Sequence, residues 1–184
     1  MTFADQGLEP FSRKIGKQIG QGAVQPQAVL SLRDGRFNDG NPPNPCGTDV
    51  GMKVGISRGL VEQIVALAAA SRDEICGLLL GTEGRIDAVL PAANVAADPR
   101  RHFELDPALL IRAHRAARSG GPAVIGHYHS HPSGKAVPSA TDADCAAPDG
   151  SLWLIVAGGE ARLWLAGPDG AVYGRFTQIA LDHQ

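Results

Sequence analysis

Two imidazoles, a hydroxyl and a carboxylate crowd one short stretch of the chain: His129, His131, Ser139 and Asp142. Residues two apart in a strand face the same side, so His129 and His131 can turn both rings into one pocket while Ser130 faces away. Imidazole nitrogen suits Zn²⁺, and a catalytic zinc needs a third protein ligand and an open position. Asp142 can be that ligand if a loop and half a turn of helix fold it back against the strand end. His127 shares the strand parity, so periodicity leaves open a three-histidine site, or a half-buried histidine further down the strand. Ser139-x-x-Asp142 also reads as an ordinary capping box. His102, His114 and His183 have no partner spacing and read as structural or surface residues.

Glu74 stands apart, where a helical pattern gives way to an apolar run. A carboxylate beside a zinc-activated water can take its proton and return it to a leaving amine, the two tasks of amide hydrolysis. A surface glutamate at a strand edge is the other reading. Ser139, beside the metal, can hydrogen-bond an oxyanion. The cysteines Cys76 and Cys145 lack a basic neighbour in sequence and read as small buried thiols.

These residues need elements to carry them. Lys53–Ile56 reads as a short strand, and Ser57 as the N-cap of a helix over 58–69. Residues 75–80 and 85–90 read as an antiparallel hairpin around Gly81-Thr82-Glu83-Gly84. A polar loop over 94–101 leads to a brief strand at 102–105. Asp106-Pro107 is an N-cap with proline at the first helical position, opening a helix to Arg118. Residues 122–128 form a central strand that runs into the histidines, and Ser139 opens a short helix over 140–147. Strands follow at 152–157 and 161–165, then a turn at 167–170 and a last strand from Val172. Strand, helix and strand first, with a meander after, is a mixed α+β pattern rather than repeated βαβ.

The chain has 184 residues, 43% of them hydrophobic and 20% charged, with a formal net charge of -2. That size supports one domain with a real core. There is no basic block to suggest nucleic acid and no apolar run long enough for a membrane helix. Three cysteines without Cys-x-x-Cys spacing argue against a disulfide framework and suit a reducing compartment, and no signal-peptide pattern opens the chain; the cytoplasm is the expectation. Residues 1–51 are rich in Gly, Gln, Pro and Asn and read as a disordered extension. The composition break makes Met52 a candidate start for the native chain, with residues 52–184 as the domain.

Gly126-His127-Tyr128-His129-Ser130-His131-Pro132, with Pro138-Ser139-Ala140-Thr141-Asp142, resembles the signature of the JAMM metallopeptidases, the catalytic branch of the MPN domains. Glu74-Ile75-Cys76-Gly77-Leu78-Leu79-Leu80-Gly81 resembles the upstream element of the same family. The resemblance implies an MPN/JAMM (cytidine-deaminase-like) fold, a mixed, mainly antiparallel sheet flanked by helices. It implies one Zn²⁺ on His129, His131 and Asp142, Glu74 as general acid/base and Ser139 as oxyanion aid, with His127 outside the ligand set. It further implies cleavage of peptide or isopeptide bonds at the C-terminal tail of a small ubiquitin-like or sulfur-carrier (ThiS/MoaD-like) protein, held by edge-strand pairing. The compact segment between Pro132 and Pro138 differs from the polyubiquitin-cleaving members. A general small-peptide metallopeptidase and a non-catalytic MPN scaffold are the alternatives; Pro132-Ser133-Gly134 also resembles the RadC proteins, a more distant reading.

Overall fold

The computed structural model describes residues 52–132 and 134–184. The expected extension, residues 1–51, lies outside the described residues. Seven strands and three helices follow in the order β1 (Lys53–Ile56), α1 (Arg58–Ala70), β2 (Cys76–Thr82), β3 (Arg85–Ala92), α2 (Pro107–Arg118), β4 (Ala123–Ser130), α3 (Ala140–Cys145), β5 (Leu152–Ala157), β6 (Glu160–Gly170) and β7 (Gly174–His183).

The strand order is β1-β3-β2-β4-β5-β6-β7, closed into a barrel because β1 pairs with both β3 and β7. The β2–β3, β2–β4, β5–β6 and β6–β7 pairs are antiparallel; β1–β3, β1–β7 and β4–β5 are parallel. This is the mixed, mainly antiparallel sheet with flanking helices that the sequence suggests. Closure limits where an extended peptide could add to the sheet. β3 pairs with β1 only at Arg85 and Ile86, so beyond Ile86 its outer edge has no strand partner among the described residues.

Alternation along the strands sorts side chains into two cores. Leu152, Leu154, Val156 and Tyr128 pack with Ile64 of α1, Val54, Ile56 and Leu79. Trp153 and Ile155 face the other way and join Trp164, Phe176 and Ala146, with Phe103 packed against them. His127 and His129 lie on this second side, against Trp153 and Phe103. The Cys-Gly pair of β2 has a steric reason: a Cβ at Gly77 would run into the Tyr128 ring and the Leu90 carbonyl oxygen. Glycine there lets Tyr128 lie flat across β2 and close the first core under the site.

Helix starts follow their caps. Ser57 Oγ accepts from Leu60 N, and Asp106 Oδ1 from Ala108 N with Pro107 at the first turn. Three expectations need correction. Residues 102–105 do not form a strand; Leu105 makes only an isolated bridge to Asn94. The Asn94 side chain instead takes the backbone there, donating to His102 O and accepting from Glu104 N. Residues 167–170 are not the turn but the end of β6, where a register shift between Ala166 and Gly170 absorbs the extra residues before Gly170 pairs with Gly174. Cys145 is exposed while Cys76 is buried. Cys145 ends α3, whose buried positions go to Asp142 and the following Ala146.

Candidate metal centre

β4 delivers the histidines. His129 lies near its C-terminal end and is fully buried; His131 follows the last strand residue and is half-buried. β4 runs parallel to β5, and His131 N donates to Val156 O at 2.8 Å, so the chain keeps strand direction up to Pro132. Both rings therefore turn the same way, as period-two geometry requires. His129 Nε2 and His131 Nε2 stand 3.0 Å apart.

α3 delivers Asp142. Its Oδ1 lies 3.3 Å from His129 Nε2 and its Oδ2 lies 3.4 Å from His131 Nε2. The two histidines and the aspartate each offer one ligand atom, all within 4.8 Å of one another. The capping box is real as well. Ser139 N and Oγ both donate to Asp142 Oδ2, at 2.6 and 2.8 Å, and Asp142 N donates back to Ser139 Oγ at 3.1 Å. One carboxylate thus caps the helix with one oxygen and faces the histidines with both.

Electrostatics follow from this crowding. Burial pushes the Asp142 pKa up, but the two imidazoles and the Ser139 amide outweigh it and hold the carboxyl well below the usual range. Burial lowers the His129 pKa. At His131 burial works the same way, but hydrogen bonds to Asp142 and to the Lys135 carbonyl, with the charges of Asp142 and Glu74, win and raise it.

The donor set fits a divalent metal. Two imidazole nitrogens and a carboxylate leave room in a tetrahedral shell for one more ligand. His131 Nδ1 donates to Lys135 O at 3.0 Å, which presents Nε2 as the free lone pair. Gly134 lies close by: a Cβ there would come within 3.1 Å of the His131 Cβ. The result is a two-histidine, one-aspartate cluster of the JAMM metal-site type.

Glu74 lies just before β2 and is buried. Its backbone is tied on both sides: N donates to Pro99 O at 2.7 Å, and O accepts from Asn94 Nδ2 at 2.8 Å. The next residue, Ile75, is clamped to β4, since Ile75 N donates to Ser130 Oγ and Ser130 N to Ile75 O, each at 3.0 Å. Burial raises the Glu74 carboxyl to about 7; the charge of His131 lowers it and that of Asp142 raises it. Through Ile75, clamped to Ser130 between the two histidines, Glu74 is held at the same end of β4 as the cluster. Asn94, Ser130 and Lys135 therefore position the site, and sequence reading missed all three, having only turned Ser130 away from the pocket. An asparagine in a polar loop and a lysine acting through its backbone carbonyl carry no distinguishing signal.

His127 does not join the cluster. It packs edge-on against Trp153 with ring centres 4.0 Å apart, and burial lowers its pKa to about 3. A cleft of about 310 Å³ opens beside His131, lined by Ala68 and Ser71 of the α1 end, Pro132 and the Gly158-Gly159 turn.

Residues 57–167 match the family described as prokaryotic homologs of the JAB domain. The chain belongs to that family. It is 44% identical over 84 residues to a desampylase of Haloferax volcanii, a match spanning 45% of this chain and 60% of that protein. It is 34% identical over 93 residues to a probable TtuB-protein conjugate cleaving protease of Thermus thermophilus, spanning 50% and 62%. A CysO-cysteine peptidase of Mycobacterium tuberculosis is 32% identical over 104 residues, spanning 55% and 70%. The chain thus spans less than two thirds of the length of the Haloferax and Thermus relatives. A Desulfitobacterium hafniense protein solved in solution shares the fold, with TM-score 0.60 and 27% identity over 71% of this chain and 92% of that one.

Proposed function

We propose that this protein is a zinc-dependent peptidase that hydrolyses a peptide or isopeptide bond at the C-terminal tail of a small ubiquitin-like or sulfur-carrier protein. The observation that carries the reading is the convergence of His129, His131 and Asp142, with the buried Glu74 held at the same end of β4 through Ile75 and Ser130. The names of the Haloferax, Thermus and Mycobacterium relatives support the substrate class.

His129, His131 and Asp142 hold the metal. A bound Zn²⁺ supplies Lewis acidity and brings the pKa of water toward ~7. Glu74 acts as the proton carrier: a carboxyl titrating near neutrality can accept a proton from water and pass it to the departing nitrogen. Its backbone ties to Pro99 and Asn94 keep the carboxyl aimed while it changes charge. Ser139 serves the developing oxyanion by turning its hydroxyl proton away from Asp142 Oδ2, which keeps the Ser139 N–H as partner. The substrate tail reaches the centre along the cleft beside His131, with the outer edge of β3 beyond Ile86 open to an extended strand. The cytoplasm is the compartment we assign, in keeping with the free thiols of Cys76 and Cys145 among the described residues.

The test is an incubation of zinc-loaded protein with the ubiquitin-like proteins of its own organism, each carrying a C-terminal extension, read by intact mass. Removal of the extension at a single bond is expected. Failure on every such protein, with cleavage of unrelated short peptides, would replace this reading with the general small-peptide metallopeptidase.

A further inference from the structure

The Nε2 of His127 is a buried polar atom without a role in zinc binding or proton transfer, and its surroundings give it one. That nitrogen and the Nδ1 of His129 are both buried and both without a hydrogen-bond partner among the described residues. Two orphaned nitrogens on neighbouring rings of one strand face call for a shared explanation, because an unpaired buried polar atom costs about 1–3 kcal/mol.

The need is sharpest at His129. With Nε2 turned to the cluster as a lone pair, the proton of the neutral ring must sit on Nδ1, and that N–H needs an acceptor. The groups around the ring do not offer one. Phe103 stacks on its face at 4.3 Å, and Trp153 lies edge-on with its own Nε1–H spent on Ser151 Oγ. His127 is the neighbour with a free acceptor nitrogen. The ring centres of His127 and His129 are 6.2 Å apart and no direct hydrogen bond joins them. A link between the two nitrogens therefore runs through a water, and bridging unsatisfied buried groups is what interior waters do.

We propose that His127 is a positioning residue for the metal centre: through one buried water, its Nε2 accepts from the Nδ1–H of His129, fixing the tautomer that leaves His129 Nε2 free for the metal. Lys135 O does this directly for His131, so each histidine of the centre has its own orienting acceptor. The inference rests on His129 being a metal ligand.

Zinc affinity, measured by chelator competition, tests it with His127→Phe, which keeps a ring but removes the acceptor, and His127→Gln, which keeps an acceptor. The expected result is a drop of about 10–100-fold in His127→Phe, with most of it recovered in His127→Gln. Equal affinity in wild type and His127→Phe would overturn the proposal, as would equal losses in both variants, which would mark His127 as packing alone. If His127→Phe does not fold, nitrogen NMR of the wild-type zinc form decides: a slowly exchanging Nδ1–H on His129 with a contact to bound water supports the bridge, and its absence refutes it. Wild type that binds no zinc would instead defeat the metal reading itself.

Discussion

At the residue scale the site turns on one carboxyl with a raised pKa and one carboxylate with two duties. Burial raises Glu74 to about 7 from an ordinary 4.5, so the metal-free folded protein keeps a proton that the unfolded chain has released. Below pH 4.5 both states are protonated and Glu74 costs nothing. Between pH 4.5 and 7 the unfolded state gains, and above 7 the cost is complete. The metal-free Glu74→Gln variant is expected to be stabilised relative to wild type by an increment that grows across that window and then levels off. Thermal melts of both proteins from pH 4 to 8 measure it; a difference independent of pH contradicts the assignment. Asp142 was legible both as a ligand and as a capping residue, and the structure shows that these do not compete. Ser139 holds Oδ2 from the helix side while both oxygens stay within reach of the imidazoles. The pairing of His131 with a backbone carbonyl was not legible, because any residue at position 135 has one.

At the element scale, three segments distant in sequence meet at the end of β4. The β4 histidines and the α3 cap could be read from spacing, since both follow local rules of period and capping. The loop over residues 93–106 could not. It was expected to hold a short strand, and is organised instead by Asn94, which satisfies the carbonyls of Glu74 and His102 and the amides of Ala96 and Glu104. Such a hub depends on partners ten and twenty residues away, beyond any local pattern. Asn94→Ala is expected to cost about 1–3 kcal/mol through the groups left unpaired, and to lower kcat more than zinc affinity, because it loosens Glu74 and not the ligands. Denaturant unfolding, zinc competition and steady-state kinetics on one preparation separate these effects. A variant that loses zinc in proportion to activity would show that the loop supports the metal shell instead.

At the scale of the whole molecule, the barrel ties its closure to its first strand. β1 has four residues and pairs with β3 on one side and β7, at the far end of the chain, on the other. Hydrophobic alternation identifies such a strand but not its partners, so the sheet could be foreseen as mixed and mainly antiparallel but not as closed. β4 and β5 are central in the strand order, with neighbours on both sides, so the metal cluster sits on a frame that folding has already set. Metal binding should then add stability: about 4 kcal/mol at a free zinc concentration a thousand times Kd. A matching rise in Tm is expected for wild type and should be absent in His131→Ala. The role of Glu74 at the zinc is tested most directly by comparing wild type and Glu74→Gln, each reconstituted with zinc, for metal content and for release of a C-terminal extension from a ubiquitin-like substrate. One zinc per chain in both and a loss of at least about 10²-fold in turnover for Glu74→Gln are expected. Equal turnover in the two proteins, with zinc bound in both, would contradict that role.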